Sequence, residues 1–254
     1  MVYTTIAWYK NVQTGGVLTD LSTVRDPHIS QTDTRYTIPE AVRNLAGVFA
    51  ASANLTETHL ETPSMRRIAP LCVSPLNAGS VKPTSPVRFM DMFDAPLPLT
   101  PNEQILCKAA GSETAATDFI VIAFLASGRS EPVGGPYYTI KATASATLQP
   151  WQWTPVTPTF ETSLPVGRYR IIGLRAQSPN LVAARIVVPG QPWRPGVLGV
   201  SSVADKEENR FRFGRNGVLA EFDTAEGFQI ECLASAADTS EVFWLDLVPV
   251  AGGG

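Results

Sequence analysis

The sequence predicts an all-β protein with two tandem β-sandwiches of about 120 residues each. Three observations predict this: strand-like runs separated by turn residues, 21 prolines and 19 glycines scattered along the 254 residues, and a short pattern that occurs twice. Hydrophobic residues make up 44% of the chain and charged residues 17%, which is typical of a packed globular protein.

The clearest strand lies just after the middle of the chain. From Tyr138 to Leu148, apolar and polar residues alternate, which is the period of a half-buried strand. Other apolar runs bounded by turn residues predict further strands: VYTTIAWY, RRIAPLCV, VRFMDMF, QILCKAAG and DFIVIAFLASG in the first half, and YRIIGLRA, LVAARIVV, RFRF, FQIECLA and VFWLDLVPV in the second.

One segment of the first half predicts a short helix instead. Pro39 stands at a helix-start position, and Val42, Leu45, Val48 and Phe49 recur at helical spacing. We therefore expect a helical excursion near residues 38–52 within a first domain of residues 1–130, followed by a second domain of residues 131–254.

The repeat connects the two halves. QILCKAAG begins at Gln104 and QIECLASA at Gln229, and each is followed by a strongly apolar run. YTTIA from Tyr3 resembles YTIKA from Tyr138, and RRIAPLCVSP from Arg66 matches YRIIGLRAQSP with one insertion. The matches keep the same order along the chain, which predicts duplication of one β domain.

The formal net charge of −3 provides no overall positive field, so we expect no direct binding of nucleic acid. Cys72, Cys107 and Cys232 are far apart, and the expectation is three small buried side chains in a reducing compartment. The N-terminal residues show no secretory signal, and no apolar run is long enough to span a bilayer.

The motifs of common enzyme classes do not occur in this sequence. His28 and His59 are the two histidines, too few for a metal site built on several histidines, although Glu57 and Glu61 flank His59. There is no nucleophile elbow, phosphate-binding loop or dinucleotide fingerprint. The sequence therefore predicts a protein that is not an enzyme and has no catalytic residues, metal site or cofactor.

Two proline-flanked segments carry the candidate contact residues Trp151, Trp153, Trp193 and Arg194. These side chains can close the ends of a sandwich, anchor an interface between subunits, or stack against sugars. Trp and Arg are enriched at interface hot spots, which favours the second interpretation. Arginines outnumber lysines fifteen to five, which suits packed contacts between subunits.

Two eight-stranded sandwiches in a weakly acidic chain of this length resemble a double jelly-roll. The segment from Leu164 to Val200, LPVGRYRIIGLRAQSPNLVAARIVVPGQPWRPGVLGV, is similar to stretches of the major capsid proteins of tailless icosahedral viruses, in particular small bacteriophages. Relative to larger members of that family, the chain is short and leaves little room for loop insertions.

The resemblance implies assembly rather than catalysis. It implies homotrimers in which six similar sandwiches form a pseudo-hexameric block, and neighbouring trimers that tile an icosahedral shell. It also implies other virion proteins at the vertices, an internal lipid membrane beneath the shell, synthesis in the host cytoplasm and location in the virion.

Two other functions fit the same fold class. A carbohydrate-binding module, or lectin, would expose Trp151, Trp153 or Trp193 as a platform for sugars. A minor virion component at a vertex or spike would differ from the main coat protein in copy number and symmetry. A metal-dependent jelly-roll enzyme would need more histidines than the chain has.

Overall fold

The computed structural model describes residues 1–13, 15–65, 71–73, 79–83, 89–112, 115–135, 137–202 and 209–250. The strands formed by these residues pair in antiparallel sheets. The chain divides into two compact units: a first unit between Ile6 and Arg129, and a second unit from Ser130 onward that also includes Met1–Thr5.

The first unit contains two sheets. One has the strand order β3-β1-β11-β5-β8, with β9 also paired to β5, and the other has the order β2-β10-β6-β7, with β4 also paired to β10. The strands are β1 (Tyr3–Val12), β2 (Thr19–Asp20), β3 (Ser22–Thr23), β4 (Arg35–Thr37), β5 (Asn44–Ser52), β6 (Leu55–Glu61), β7 (Leu71–Val73), β8 (Met90–Asp91), β9 (Leu97–Pro98), β10 (Gln104–Gly111) and β11 (Thr117–Ala126).

The second unit also contains two sheets, with the strand orders β14-β12-β20-β15-β18 and β13-β19-β16-β17. A short 3₁₀ helix, Asn209–Phe211, precedes β18. The strands are β12 (Tyr138–Ala144), β13 (Thr154–Val156), β14 (Thr159–Phe160), β15 (Arg168–Gln177), β16 (Leu181–Val187), β17 (Gly196–Leu198), β18 (Ala220–Asp223), β19 (Gln229–Ala234) and β20 (Glu241–Pro249).

The two units have the same strand order. In one sheet of each unit, the first strand (β1 or β12) pairs with the last strand (β11 or β20). The last strand also pairs with β5 or β15, and that strand pairs with β8 or β18. In the other sheet, β10 or β19 lies between an early strand and β6 or β16. This is the arrangement of a jelly-roll, so the predicted fold class of two jelly-roll sandwiches is confirmed.

The repeated sequences fall on equivalent strands in three of four cases. QILCKAAG is β10 and QIECLA is β19, the apolar runs after them are β11 and β20, and the tyrosine-led segments begin β1 and β12. The fourth match is wrong, because Leu71 lies in β7 whereas Leu174 lies in β15, which is the counterpart of β5. The rest of that first segment, residues 66–70 and 74–75, lies outside the described residues.

The predicted helix near residues 38–52 is wrong. Pro39 begins a turn closed by the N–H of Val42, and Asn44–Ser52 is the strand β5. This strand pairs with β11 on one side and with β8 and β9 on the other. Both of its faces are buried, so apolar residues occur on both faces and also match a helical period.

A second predicted element also differs from the structure. The segment RFRF from Arg210 was expected to be a strand, but Asn209–Phe211 forms the 3₁₀ helix and Phe213 has a positive φ of 56°. Val87 and Arg88 of the predicted strand VRFMDMF lie outside the described residues, and Met90–Asp91 forms β8.

Each unit has its own aromatic cluster in the core. In the first unit, the ring of Phe124 on β11 packs against Phe89 and Phe93, with centroids 5.9 and 5.7 Å apart. In the second unit, Phe222 on β18 packs against Phe228, with centroids 4.7 Å apart. Within the described ranges, no helix is long and apolar enough to cross a membrane.

Candidate functional site

Trp153 and the buried Arg185 form the centre of the predicted contact region in the second unit. Trp153 immediately precedes β13, and Arg185 lies within β16, where its side chain is fully buried. The Arg185 guanidinium lies over the Trp153 ring, 4.2 Å from its centroid. One face of this indole is therefore occupied inside the unit by a cation–π contact.

Arg185 is paired with a carboxylate on the neighbouring strand. The strand register places Arg185 opposite Glu231, so the two side chains extend from the same face of the sheet. Arg185 Nε and Nη2 lie 2.7 and 2.6 Å from Glu231 Oε2, and Nη1 donates to the carbonyl of Thr5 at 2.9 Å. The hydrogen bonds from Nε and Nη1, together with the ion-pair contact of Nη2, compensate for the loss of water around the buried guanidinium.

Arg194 is also buried, with 7% of its surface exposed. Its Nη1 donates to the carbonyl oxygens of Gln191 and Trp193. Its own carbonyl accepts a hydrogen bond from the N–H of Thr5 at 2.9 Å. The structure thus brings Trp153 and Arg194 into one region, because Thr5 bonds to Arg194 through its N–H and to Arg185 through its carbonyl.

The other two predicted contact residues, Trp151 and Trp193, are half-buried. Trp151 has a positive φ of 57°, and its N–H donates to the carbonyl of Ala234 at 2.9 Å. The backbone carbonyl of Trp193 accepts a hydrogen bond from Arg194 Nη1 at 3.0 Å. A role of Trp151, Trp153, Trp193 and Arg194 in contacts between copies of the chain stays a prediction.

An exposed aromatic pair was not among the predicted contact residues. Tyr137 and Phe213 are 43% and 42% exposed, and their ring centroids are 5.6 Å apart. Tyr138, at the start of β12, is 57% exposed. The pair was missed because Phe213 was assigned to a strand, in which alternate residues would be buried.

A polar cleft of about 680 Å³ lies at one end of β12 and β20. The residues that line it include Thr143, Ser145, Ser240 and Glu241. Glu241 is 1% exposed, and its Oε2 accepts a hydrogen bond from the N–H of Ala146. Its Oε1 accepts no hydrogen bond from the residues that the structure describes. Burial and the nearby charge of Asp238 raise the pKa of Glu241 above its usual range, although the hydrogen bond from Ala146 opposes this.

The three cysteines differ in their surroundings. Cys107 and Cys232 are buried, as predicted, and burial raises the pKa of both thiols well above its usual range. Cys72 is exposed, which contradicts the expectation of three buried thiols. It lies on β7 opposite His59 on β6.

The comparisons with known proteins add one structural likeness. No family model matches the chain, and no curated protein matches it in sequence. The chain is similar to the major capsid protein P2 from Bacteriophage PM2, at 10% sequence identity over 99% of both chains and a TM-score of 0.25. The fold class therefore rests on the strand order of the two units and not on this similarity.

Proposed function

We propose that this protein is a structural virion protein, the major capsid protein of a tailless icosahedral virus. Three copies form a pseudo-hexameric ring of six jelly-roll units, and neighbouring rings tile the shell. The observation that carries the proposal is the identical strand order of two jelly-roll units in one chain. A duplicated unit lets one gene product present similar sides to all its neighbours.

The duplication fits a closed ring of three chains. Closed rings of identical chains have one repeated interface, whereas open arrangements continue into fibres. Six units of one topology divide such a ring into nearly equal sectors, which is the shape needed for hexagonal tiling. An obligate interface of this kind buries roughly 2,000 Å² or more.

Short edge strands support assembly through side chains and loops rather than through strand pairing. In the second unit, the outermost strands β13, β14, β17 and β18 have two to four residues each, and β13 contains Pro155. Short edges and proline block the addition of another strand. Subunits with such edges pair through defined surfaces, as a regular shell requires.

The remaining partners follow from the proposed virion role. Other virion proteins would meet the shell at its vertices, and an internal lipid membrane would lie beneath it. The net charge of −3 favours a shell that does not hold the genome directly. The protein would be made in the host cytoplasm and act without catalysis.

The first test is the native mass of the purified protein, measured by size exclusion with light scattering. Three chains of 27.3 kDa give 3 × 27.3, or about 82 kDa, and larger shells are expected alongside this species. A monomer at all concentrations would overturn the proposal. Electron microscopy of the larger species then counts copies per particle, which separates a main coat protein from a vertex component.

The exposed aromatic pair provides a matched test of the interface. Replacing Tyr137 and Phe213 by serine should shift the equilibrium from trimer to monomer, because exposed aromatic side chains are frequent interface anchors. Val166 is 93% exposed and serves as the control, since Val166→Ser removes exposed apolar surface elsewhere in the unit. Equal trimer fractions in both variants would exclude this pair from the interface.

A carbohydrate-binding function is the second candidate, and the cleft beside Glu241 favours it. Thr143, Ser145 and Ser240 line this cleft, and their hydroxyl groups match the donors and acceptors of a sugar. Titration calorimetry with a panel of oligosaccharides tests it. Binding that Ser145→Ala or Ser240→Ala weakens, in a protein that remains monomeric, would replace the capsid proposal.

A further inference from the structure

Three potential metal ligands of different types lie together on the sheet of the first unit that contains β6 and β7. Glu57 and His59 are two residues apart on β6, so their side chains extend from the same face of the sheet. The register of the antiparallel pair places His59 directly opposite Cys72 on β7. The same face therefore carries a carboxylate, an imidazole and a thiol.

The ligand atoms of these three side chains are close to one another. The carboxylate oxygen of Glu57, the imidazole nitrogen of His59 and the sulfur of Cys72 all lie within 4.8 Å of each other. The Glu57 Oε1 to His59 Nε2 distance is 2.5 Å. Glu57 and His59 are half-buried and Cys72 is exposed, so solvent and ions reach the group.

Cys72 differs from the other two cysteines in its exposure to solvent. A free cysteine is among the most frequently buried residue types, and Cys107 and Cys232 follow that rule. Cys72 instead lies at the surface, on a strand that places it opposite His59 and near the Glu57 carboxylate. If the role of Glu57 and His59 were only to form a hydrogen bond with each other, no thiol would be needed at position 72.

We propose that Glu57, His59 and Cys72 bind one divalent ion of the zinc class. Thiolate, imidazole and carboxylate are the three ligand types that zinc takes in proteins, whereas calcium and magnesium prefer oxygen ligands. Three protein ligands leave a fourth tetrahedral position for water at this exposed site. The site lies in one unit and does not depend on the proposed capsid function.

Small side-chain movements suffice to form a tetrahedral site. With metal bonds of about 2.0–2.3 Å, tetrahedral ligand atoms are separated by about 3.3–3.6 Å. Glu57 and His59 must therefore move apart from their 2.5 Å contact, and the more distant ligand atoms must approach. The Glu57 side chain is 44% exposed and can move into solvent, whereas the strand pairing fixes the backbone positions of His59 and Cys72.

The positive charge of Lys108 opposes the binding of a metal ion at this site, but Lys108 is paired with Glu61. Lys108 on β10 lies opposite His59 on the other side of β6. Its Nζ is 3.3 Å from Glu61 Oε1, so a carboxylate accompanies this positive charge.

Cobalt titration of the full-length, metal-free, reduced protein tests the site. Binding through Cys72 produces a thiolate-to-cobalt charge-transfer band together with the visible bands of tetrahedral cobalt. We expect one ion per chain, and we expect Cys72→Ser to abolish the charge-transfer band. His59→Gln and Glu57→Gln should each weaken binding by about tenfold or more. His28→Gln is the matched control, because His28 is exposed and distant in sequence from the group.

A second measurement remains informative if a variant folds poorly. In the native wild-type protein, dithionitrobenzoate should label one thiol, because Cys107 and Cys232 are buried. Zinc should slow this labelling, and a chelator should restore it. Labelling that zinc does not change, or a cobalt spectrum that persists in Cys72→Ser, would overturn the proposal.

Discussion

Arg212 and Asp246 form a two-point ion pair within the second unit, with Nε to Oδ2 at 2.7 Å and Nη2 to Oδ1 at 2.9 Å. Asp246 is fully buried on β20, and it also accepts hydrogen bonds from the N–H of Phe213 and the hydroxyl of Thr139. The segment around Phe213 is thereby fixed to the sheet. A bulky residue rarely adopts a positive φ, so these bonds stabilise a conformation that Phe213 would otherwise leave.

Removal of the arginine should strongly destabilise the protein. Arg212→Met leaves the Asp246 carboxylate buried without its cationic partner, which costs about 3–5 kcal/mol in the free energy of unfolding. Urea unfolding followed by fluorescence measures the loss. The control is Glu161→Gln in the exposed Lys141–Glu161 pair, where a change below about 1 kcal/mol is expected. Similar losses in the two variants would contradict a special role for the buried pair.

The free energy of unfolding should decrease at acidic pH because of Asp246. Burial alone would raise the pKa of this carboxyl, but hydrogen bonds from Arg212, Phe213 and Thr139 outweigh it and hold the pKa below the usual range. The resulting stability is present above the unfolded-state pKa of about 3.9 and is lost as the pH falls through the lowered folded-state pKa.

The pH measurement compares the wild type with Asp246→Asn. We expect a large difference in the free energy of unfolding at neutral pH and a shrinking difference once the pH falls below about 4. Glu241 acts in the opposite direction, because its raised pKa favours the folded state as it gains a proton. Glu241 contributes the same pH dependence to the wild type and to Asp246→Asn, so it does not affect the difference between them. If the difference in the free energy of unfolding does not change with pH, Asp246 is not the source of the acid dependence of stability.

Gly173 should be intolerant of any side chain. It lies on β15 opposite Asp246, next to a register shift in the strand pairing. A Cβ at this position would be 2.1 Å from Asp246 Oδ2 and 2.9 Å from the Phe213 nitrogen. Gly173→Ala should therefore cost about 1–3 kcal/mol or more, because buried charged groups would have to move.

The matched control for Gly173 is Gly128→Ala. A Cβ at Gly128 would meet nothing within 4 Å. This substitution should be neutral or slightly stabilising, since it removes freedom from the unfolded chain. Thermal unfolding of both variants checks the contrast, and a tolerant Gly173 would show that the Arg212–Asp246 pair is easily displaced.

The sequence predicted most strands, because apolar runs end at turn residues and a repeated pattern such as QILCKAAG marks equivalent strands. The alternation from Tyr138 to Leu148 predicted one long half-buried strand, but β12 ends at Ala144, and Tyr138 and Thr139 are both exposed. The prediction failed at β5, because Leu45–Ala51 is buried on both faces and a continuous apolar run has no distinctive period. It also missed the exposure of Cys72 and the pairing of Arg185 with Glu231, because both depend on strand register.

Trp153 and Trp193 should differ in their effects on stability and assembly. Trp153→Ala removes the ring beneath the buried Arg185 guanidinium, which should cost about 2 kcal/mol or more in the free energy of unfolding. Trp193→Ala should change stability little, because the contacts of Arg194 in this segment are made to backbone carbonyls that the substitution retains. If Trp193 contacts a second copy of the chain, as predicted, its removal should lower the trimer fraction. Light scattering below the unfolding temperature, together with urea unfolding, separates the two effects. A folded, stable Trp193→Ala protein that still forms trimers at wild-type concentrations would remove Trp193 from the interface.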